Sequence, residues 1–171
     1  MSLLGIDVGT TGCKVIVISQ EGAILAQASR EYDVIRPQPG WAELDSQAVW
    51  ALIESAIREL TAQTQGDPVA ALCVSSMGEA MTPVAADRRI LGNCLLGFDT
   101  RGAETMEQLA ALDPTRFYER SGNPASGVFG GPKLIWLRDH DPALFARADR
   151  FLNWAVYLIS WGQQTVTGLG S

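Results

Sequence analysis

No cluster of lysine or arginine occurs in the 171 residues, and acidic side chains outnumber basic ones by 19 to 13, for a formal net charge of −6. Nothing here could neutralise a phosphodiester backbone, which argues against nucleic acid as a partner. Histidine is scarcer still. His140 is the only one, in the polar stretch Arg138-Asp139-His140-Asp141-Pro142 with no nucleophile or base beside it, and is expected to face solvent. The three cysteines, Cys13, Cys73 and Cys94, are odd in number and fall at no metal-ligand spacing. Lying in apolar runs, they read as free, buried thiols in a reducing compartment. No basic segment followed by a long apolar one opens the chain, so no secretion signal is legible and a cytoplasmic location is expected. The longest apolar run, Phe151 to Trp161, is about half of the roughly 20 residues that span a bilayer. Asn153 and Ser160 interrupt it, so it reads as a buried strand running into a helix and membrane is not an expected partner. Internal repeats and low-complexity tracts are also missing.

What is present is a large apolar fraction, 47%, enough for one domain with a real core. Leu3 to Val8 and Cys13 to Ile18 read as strands joined by a tight turn, and Ile24 to Tyr32 alternates as a half-exposed third strand should. The opening is therefore a three-stranded antiparallel meander. Pro37-Gln38-Pro39-Gly40 is loop chemistry, and Asp45 suits the N-cap of a helix whose apolar residues Val49, Leu52, Ile53, Ala56, Ile57 and Leu60 recur at three and four. Val69 to Val74 and Met81 to Ala85 read as buried strands. Helices are expected at Ala103 to Leu112, Pro114 to Arg120, Pro132 to Arg138 and Pro142 to Ala148. Three strands, a helix and another strand is not the order of a Rossmann repeat.

Asp7-Val8-Gly9-Thr10-Thr11-Gly12-Cys13-Lys14 carries the densest chemistry: a carboxylate, two glycines, two hydroxyls and a cation within one strand-turn-strand. Gly9 and Gly12 permit positive φ and close backbone approach, so backbone N–H groups and the hydroxyls of Thr10 and Thr11 can converge on phosphate oxygens, with Lys14 supplying positive charge. Asp7 could hold Mg²⁺ through water, since that ion gives up its hydration reluctantly. A hairpin turn capped by an aspartate explains the same residues equally well. Because a strand follows rather than a helix, this is neither a Walker P-loop nor a dinucleotide fingerprint.

The segment Gly5 to Lys14 resembles the opening phosphate loop of the FGGY family of carbohydrate kinases, which includes glycerol, xylulose and gluconate kinases. Three more segments follow in that family's order: Pro39-Gly40-Trp41-Ala42-Glu43-Leu44-Asp45 with Trp50, Gly97-Phe98-Asp99-Thr100-Arg101, and Lys133-Leu134-Ile135-Trp136. Ser75-Ser76-Met77-Gly78-Glu79 falls where the family has a sugar-contacting loop. The resemblance implies an α/β, actin-like ATPase domain of ribonuclease H-like topology, with a mixed sheet flanked by helices. It implies that residues 1–171 form the N-terminal domain only, with the C-terminal domain and the catalytic aspartate outside this chain, so that no catalytic residue is assigned here.

The same resemblance implies ATP-dependent phosphorylation of a sugar or polyol hydroxyl, with Mg²⁺ and domain closure. A non-catalytic actin-like binding or regulatory module is the alternative. Expected phosphate contacts are Gly9, Thr10, Thr11 and Lys14, with Asp7 for the metal. Expected substrate contacts are Met77, Gly78, Glu79, Asp99 and Arg101. Glu79 could accept from two neighbouring sugar hydroxyls, whereas Asp99 and Arg101 could equally be a surface ion pair of little consequence. The tryptophans read mostly as core, with Trp41 sealing a loop. Partners would be a small sugar or polyol and the chain's own C-terminal domain, and a homodimer stays open. Gly97 stands where glycerol kinases carry a tryptophan, Val128 where they carry a tyrosine and Gly78 in place of their arginine, which disfavours glycerol. Xylulose kinases usually show Met-His at the positions of Gly78 and Glu79, so the sugar is not read from these residues.

Overall fold

The computed structural model describes residues 1–110 and 113–160. In chain order the elements are β1 (Ser2–Val8), β2 (Gly12–Ser19), β3 (Ile24–Glu31), β4 (Glu43–Leu44), α1 (Ser46–Gln63), β5 (Val69–Ser76), β6 (Thr82–Val84) and β7 (Cys94–Leu95). A 3-10 helix (Thr100–Thr105), α2 (Met106–Ala110), α3 (Pro114–Ser121), α4 (Gly130–His140), α5 (Pro142–Arg147) and β8 (Arg150–Leu152) follow. They fall into two compact units. The first holds Met1–Asp33, Ser46–Met77 and the described residues from Asn153 on; the second holds Val34–Asp45 and Gly78–Leu152.

The first unit is built on alternation. Leu4, Ile6 and Val8 of β1 are buried while Leu3 and Asp7 are exposed, and on β2 the buried row is Cys13, Val15 and Val17. β1 and β2 are antiparallel with Ile6 opposite Val15, and β3 continues the meander with Ala28 opposite Val15. Against β2 and β3 lies α1, whose buried Val49, Ile53, Ala56, Ile57 and Leu60 form the stripe that spacing at three and four predicts. An ion pair between Arg30 of β3 and Glu59 of α1 joins the two elements at the surface.

β5 joins β1 in parallel, giving the order β3-β2-β1-β5 and a mixed sheet. Its apolar sequence suggests burial, but Ala70, Ala71, Cys73 and Ser75 are exposed. The reason is position: among the described residues β5 is the sheet's edge, with one neighbour strand. The expectation of three buried thiols is corrected by the same fact. Cys13 and Cys94 are buried, and Cys73 on β5 is exposed. The helix over 154–160 starts where Ser76 Oγ accepts from the Ala155 amide at 3.0 Å, and Tyr157 meets Trp50 edge-on at 5.5 Å. Strand leading to helix is thus the arrangement at 150–160, with a partly buried strand; Trp161 and Gln163 to Ser171 lie outside the described residues.

In the second unit two short antiparallel pairs, β4 with β7 and β6 with β8, are bridged by Met81 opposite Leu95. Leu95, Trp136 and Leu137 form the buried centre, ringed by Trp41, Leu144, Phe145 and Phe151. Helix ends follow their sequence signals. Asp113 accepts from the amides of Thr115 and Arg116 ahead of Pro114, and Asp141 accepts from Leu144 ahead of Pro142. The helix expected from Ala103 instead opens as the 3-10 turn, because Asp99 caps it by accepting from the Arg101 amide; residues 111–112 lie outside the described residues. No described helix is long and apolar enough to cross a membrane.

Candidate functional site

In the first unit the turn between β1 and β2 is closed by Gly9 N–H donating to Gly12 O at 2.9 Å. Neither glycine has positive φ; among the described residues that conformation belongs to Gly22, Gly40, Gly122 and Arg88. The expectation of positive φ at Gly9 and Gly12 is therefore corrected. What Gly12 requires is room, because a Cβ there would stand 2.7 Å from the carbonyl oxygen of Arg30 on β3. Tyr32 pins the turn from outside the motif: its hydroxyl donates to Gly9 O at 2.7 Å and its amide to Thr11 O at 3.1 Å. Asp7 and Lys14 are register partners, so both side chains leave the same face of the sheet, and both are exposed. Ser75 pairs with Asp7 from the other side. Thr10 is half-buried and Thr11 exposed at the tip. The structure thus brings Asp7, Lys14 and both threonine positions to one end of β1 and β2. Met77 follows β5, its amide donating to Val8 O at 3.2 Å, and the boundary between the units falls after it.

In the second unit Glu79 Oε2 accepts from the Gly130 amide at 3.0 Å, so a carboxylate sits at the start of α4, whose own N-cap residue Phe129 makes no side-chain cap bond. This placement is electrostatically favoured, since a helix N-terminus presents unpaired N–H groups and positive potential. Gly97 passes alongside: a Cβ there would lie 3.3 Å from Glu79 O, 3.4 Å from Glu79 Cβ and 4.0 Å from Val128 Cγ1. A Cβ on Gly78 would meet nothing within 4 Å. A Cβ on Gly130 would lie 2.9 Å from Met81 Sδ and 4.0 Å from Glu79 Oε2, so the Glu79 carboxylate has Gly130 and Met81 in its neighbourhood.

Asp99 and Arg101 are brought together with each other and with a distant loop. Asp99 is 2% exposed and Arg101 6%, so the surface-pair reading is corrected to a buried one. Asp99 Oδ1 accepts from the Arg101 amide and Nε, each at 2.9 Å; Oδ2 accepts from Arg101 Nη2 at 2.7 Å and from the Ala42 amide at 2.6 Å. Arg101 Nη1 reaches Glu43 Oε1 at 2.7 Å. The guanidinium carbon lies 4.1 Å from the Trp41 ring centroid and 5.2 Å from that of Trp136, within cation–π range of both. Gly40, at φ +83°, accepts from Thr100 N and Oγ1, both at 2.9 Å, so only a residue without a Cβ fits there. His140 is not simply solvent-facing: its ring stacks on Trp136 with centroids 4.5 Å apart.

Burial disfavours the Asp99 carboxylate, but the hydrogen bonds from the Arg101 side chain and from the Ala42 and Arg101 amides outweigh it. The result is a pKa below the ordinary aspartate value of 3.8. A carboxyl whose folded pKa is depressed contributes stability in full above its unfolded pKa and loses it as pH falls through the folded value. Acid unfolding monitored by tryptophan fluorescence is therefore expected to steepen below about pH 4, and Asp99→Asn to flatten that part of the curve. An unchanged acid limb in the variant would count against the assignment.

Sequence reading missed two residues. Tyr32 carried no signal beyond its place at the end of a strand. Lys133 read as part of a helix motif, yet it is fully buried, and its Nζ donates to three backbone oxygens, Leu96 O at 2.6 Å, Gly97 O at 2.8 Å and Val128 O at 2.8 Å. A lysine at an apolar position of a helix beside a tryptophan was the available signal.

Residues 2–168 match the model of the FGGY family of carbohydrate kinases, N-terminal domain. The chain is 35% identical over 151 residues to glycerol kinase 2 of Streptomyces avermitilis, covering 85% of this chain and 29% of that protein. To the xylulose kinase of Escherichia coli K12 it is 32% identical over 149 residues, covering 87% and 31% respectively. Among solved structures, the xylulose kinase from Rhodospirillum rubrum superposes with a TM-score of 0.85 at 26% identity, over 93% of this chain and 33% of that one. The chain thus spans about a third of the length of the relatives it matches. With the motifs in order and nearly the whole length matched, the chain belongs to the FGGY family of carbohydrate kinases, whose N-terminal domain it matches and whose actin-like ATPase fold it adopts.

Proposed function

We propose that this chain is the phosphate- and sugar-binding part of a kinase that transfers the γ-phosphoryl group of ATP to a hydroxyl of a small polyol or ketose. The observation that carries the reading is the shared end of β1 and β2, where an exposed carboxylate and an exposed lysine flank a turn held by Gly9, Gly12 and Tyr32. Thr10 and Thr11 offer hydroxyls there, Lys14 offers charge to phosphate, and Gly9 leaves the backbone accessible. Mg²⁺ is assigned to Asp7, the exposed carboxylate at the end of β1 beside that turn. That ion keeps several waters and needs one or two carboxylates plus the substrate's phosphates. When bound it would bridge and neutralise phosphate oxygens.

Substrate contacts are assigned to Glu79 with Met77 and Gly78. Asp99 and Arg101 enter as the pair that holds the loop at Gly40 to Glu43, because their polar atoms are bound to one another and to that loop. Relatives matched at 35% and 32% identity are named glycerol kinase and xylulose kinase, which supports a small polyol or ketose as the class. The proton-accepting base and the domain that closes over the phosphates belong to this reading as parts outside the chain. ADP production by the full-length protein, assayed with Mg·ATP against polyols, ketoses and sugar acids, is expected to rise well above basal hydrolysis with at least one of them. No stimulation by any, with Mg·ATP still bound, would replace the kinase by a non-catalytic binding module.

A further inference from the structure

Burying an ammonium costs several kcal/mol, whereas a methionine of similar length would fill the same space without that penalty. Lys133 is nonetheless fully buried, and all three of its N–H donors are used on backbone carbonyls. Those carbonyls lie in irregular segments, Leu96-Gly97 just after β7, where the Asp99 amide also donates to Leu96 O at 3.1 Å, and Val128 in the turn before α4. The surroundings are built to seat that turn. A Cβ on Gly102 would lie 2.7 Å from Gly127 O and 3.3 Å from Lys133 Cγ, and one on Gly127 would lie 3.0 Å from the Ala103 amide nitrogen. Thr105 Oγ1 ties the base of α4 by donating to Pro132 O at 2.9 Å. Both segments held by the ammonium flank Glu79, Gly97 on one side and the Val128 turn with Gly130 on the other.

We propose that Lys133 is a positioning residue for the substrate-binding locale around Glu79, its ammonium tying the Gly97 segment and the Val128 turn so that Glu79 is presented in one geometry. The proposal rests on the reading of Glu79 as a substrate contact. Burial pushes the Lys133 pKa below the ordinary lysine value, with the negative charges of Asp99 and Glu79 acting in the opposite direction.

The test compares Lys133→Met, which removes every donor, with Lys133→Gln, which keeps two, in the full-length protein. With the polyol or ketose that the wild type accepts, KM for that compound is expected to rise roughly tenfold or more in the methionine variant, since small misplacements of binding groups are costly. KM for ATP should stay within about twofold and the glutamine variant should recover part of the loss. Equal polyol KM in all three folded proteins would overturn the proposal. So would parallel losses for polyol and ATP, or failure of both variants to fold, since the lysine would then serve the fold rather than the site. If the wild type turns over no polyol, the kinase reading fails, and amide hydrogen exchange still decides the tether. Exchange over 96–98 and 128–130 should quicken at least tenfold in Lys133→Met while α1 is unchanged; no difference would overturn it.

Discussion

Arg101→Met is expected to lower stability by about 3–5 kcal/mol, because it strands two buried carboxylates that share one guanidinium. Asp99 loses its bonds to Nε and Nη2, and Glu43 loses its contact at 2.7 Å, although Asn93 Nδ2 still donates to Glu43 Oε2 at 2.8 Å. The cation beside the Trp41 and Trp136 rings goes as well. A lysine would not rescue the site, since it cannot make the bidentate contact or present a planar guanidinium to the Trp41 ring. Thermal and urea unfolding followed by tryptophan emission measures the effect directly. A loss below about 1 kcal/mol, the range of exposed pairs, would show that this cluster contributes no more than surface charge. The double variant Arg101→Met, Asp99→Asn should be less destabilised than the sum of the single changes, because the stranded charge is removed with its partner.

Asp7→Asn is expected to do the opposite: leave unfolding almost unchanged and weaken the Mg²⁺ dependence of turnover by about 10–100-fold. Asp7 is exposed at the end of β1, so the amide replaces the carboxylate without a packing cost. In the proposed site its negative charge would hold a hydrated metal through water, and an amide cannot supply that charge. The measurement is initial rate against Mg²⁺ concentration in the full-length protein, with melting temperature as the control for folding. Wild-type-like Mg²⁺ dependence would remove Asp7 from the metal site, and a large drop in melting temperature would turn it into a structural residue.

Much of the fold was legible before any coordinates. The meander follows from period-two alternation around two turns, and α1 follows from apolar residues at three and four behind a helix-starting segment. Burial was less legible. Val69 to Val74 has the composition of a central strand, but whether an apolar strand is covered depends on its place in the sheet order, which no local pattern encodes. At the candidate phosphate turn the expected positive φ is not found at Gly9 or Gly12, whereas close backbone approach is: Gly12 lies against Arg30 on a neighbouring strand, a contact 18 positions away.

The sequence by itself determined the opening meander, α1, the candidate phosphate turn and the family, because these rest on local periodicity and on short motifs whose order alone is informative. Tertiary structure decided what joins the motifs. Gly40-Trp41-Ala42-Glu43 and Asp99-Thr100-Arg101 stand almost sixty residues apart and looked like a loop signature and a sugar contact. Folded, Thr100 donates to Gly40, Asp99 accepts from Ala42, and Arg101 sits on Trp41 and Glu43, so the two are one buried unit. The same is true of Lys133, whose partners are three carbonyls on two segments, Leu96-Gly97 and Val128. Charge pairing and backbone hydrogen bonding act through space over a few ångströms, and only a fixed chain path decides which residues come within that reach.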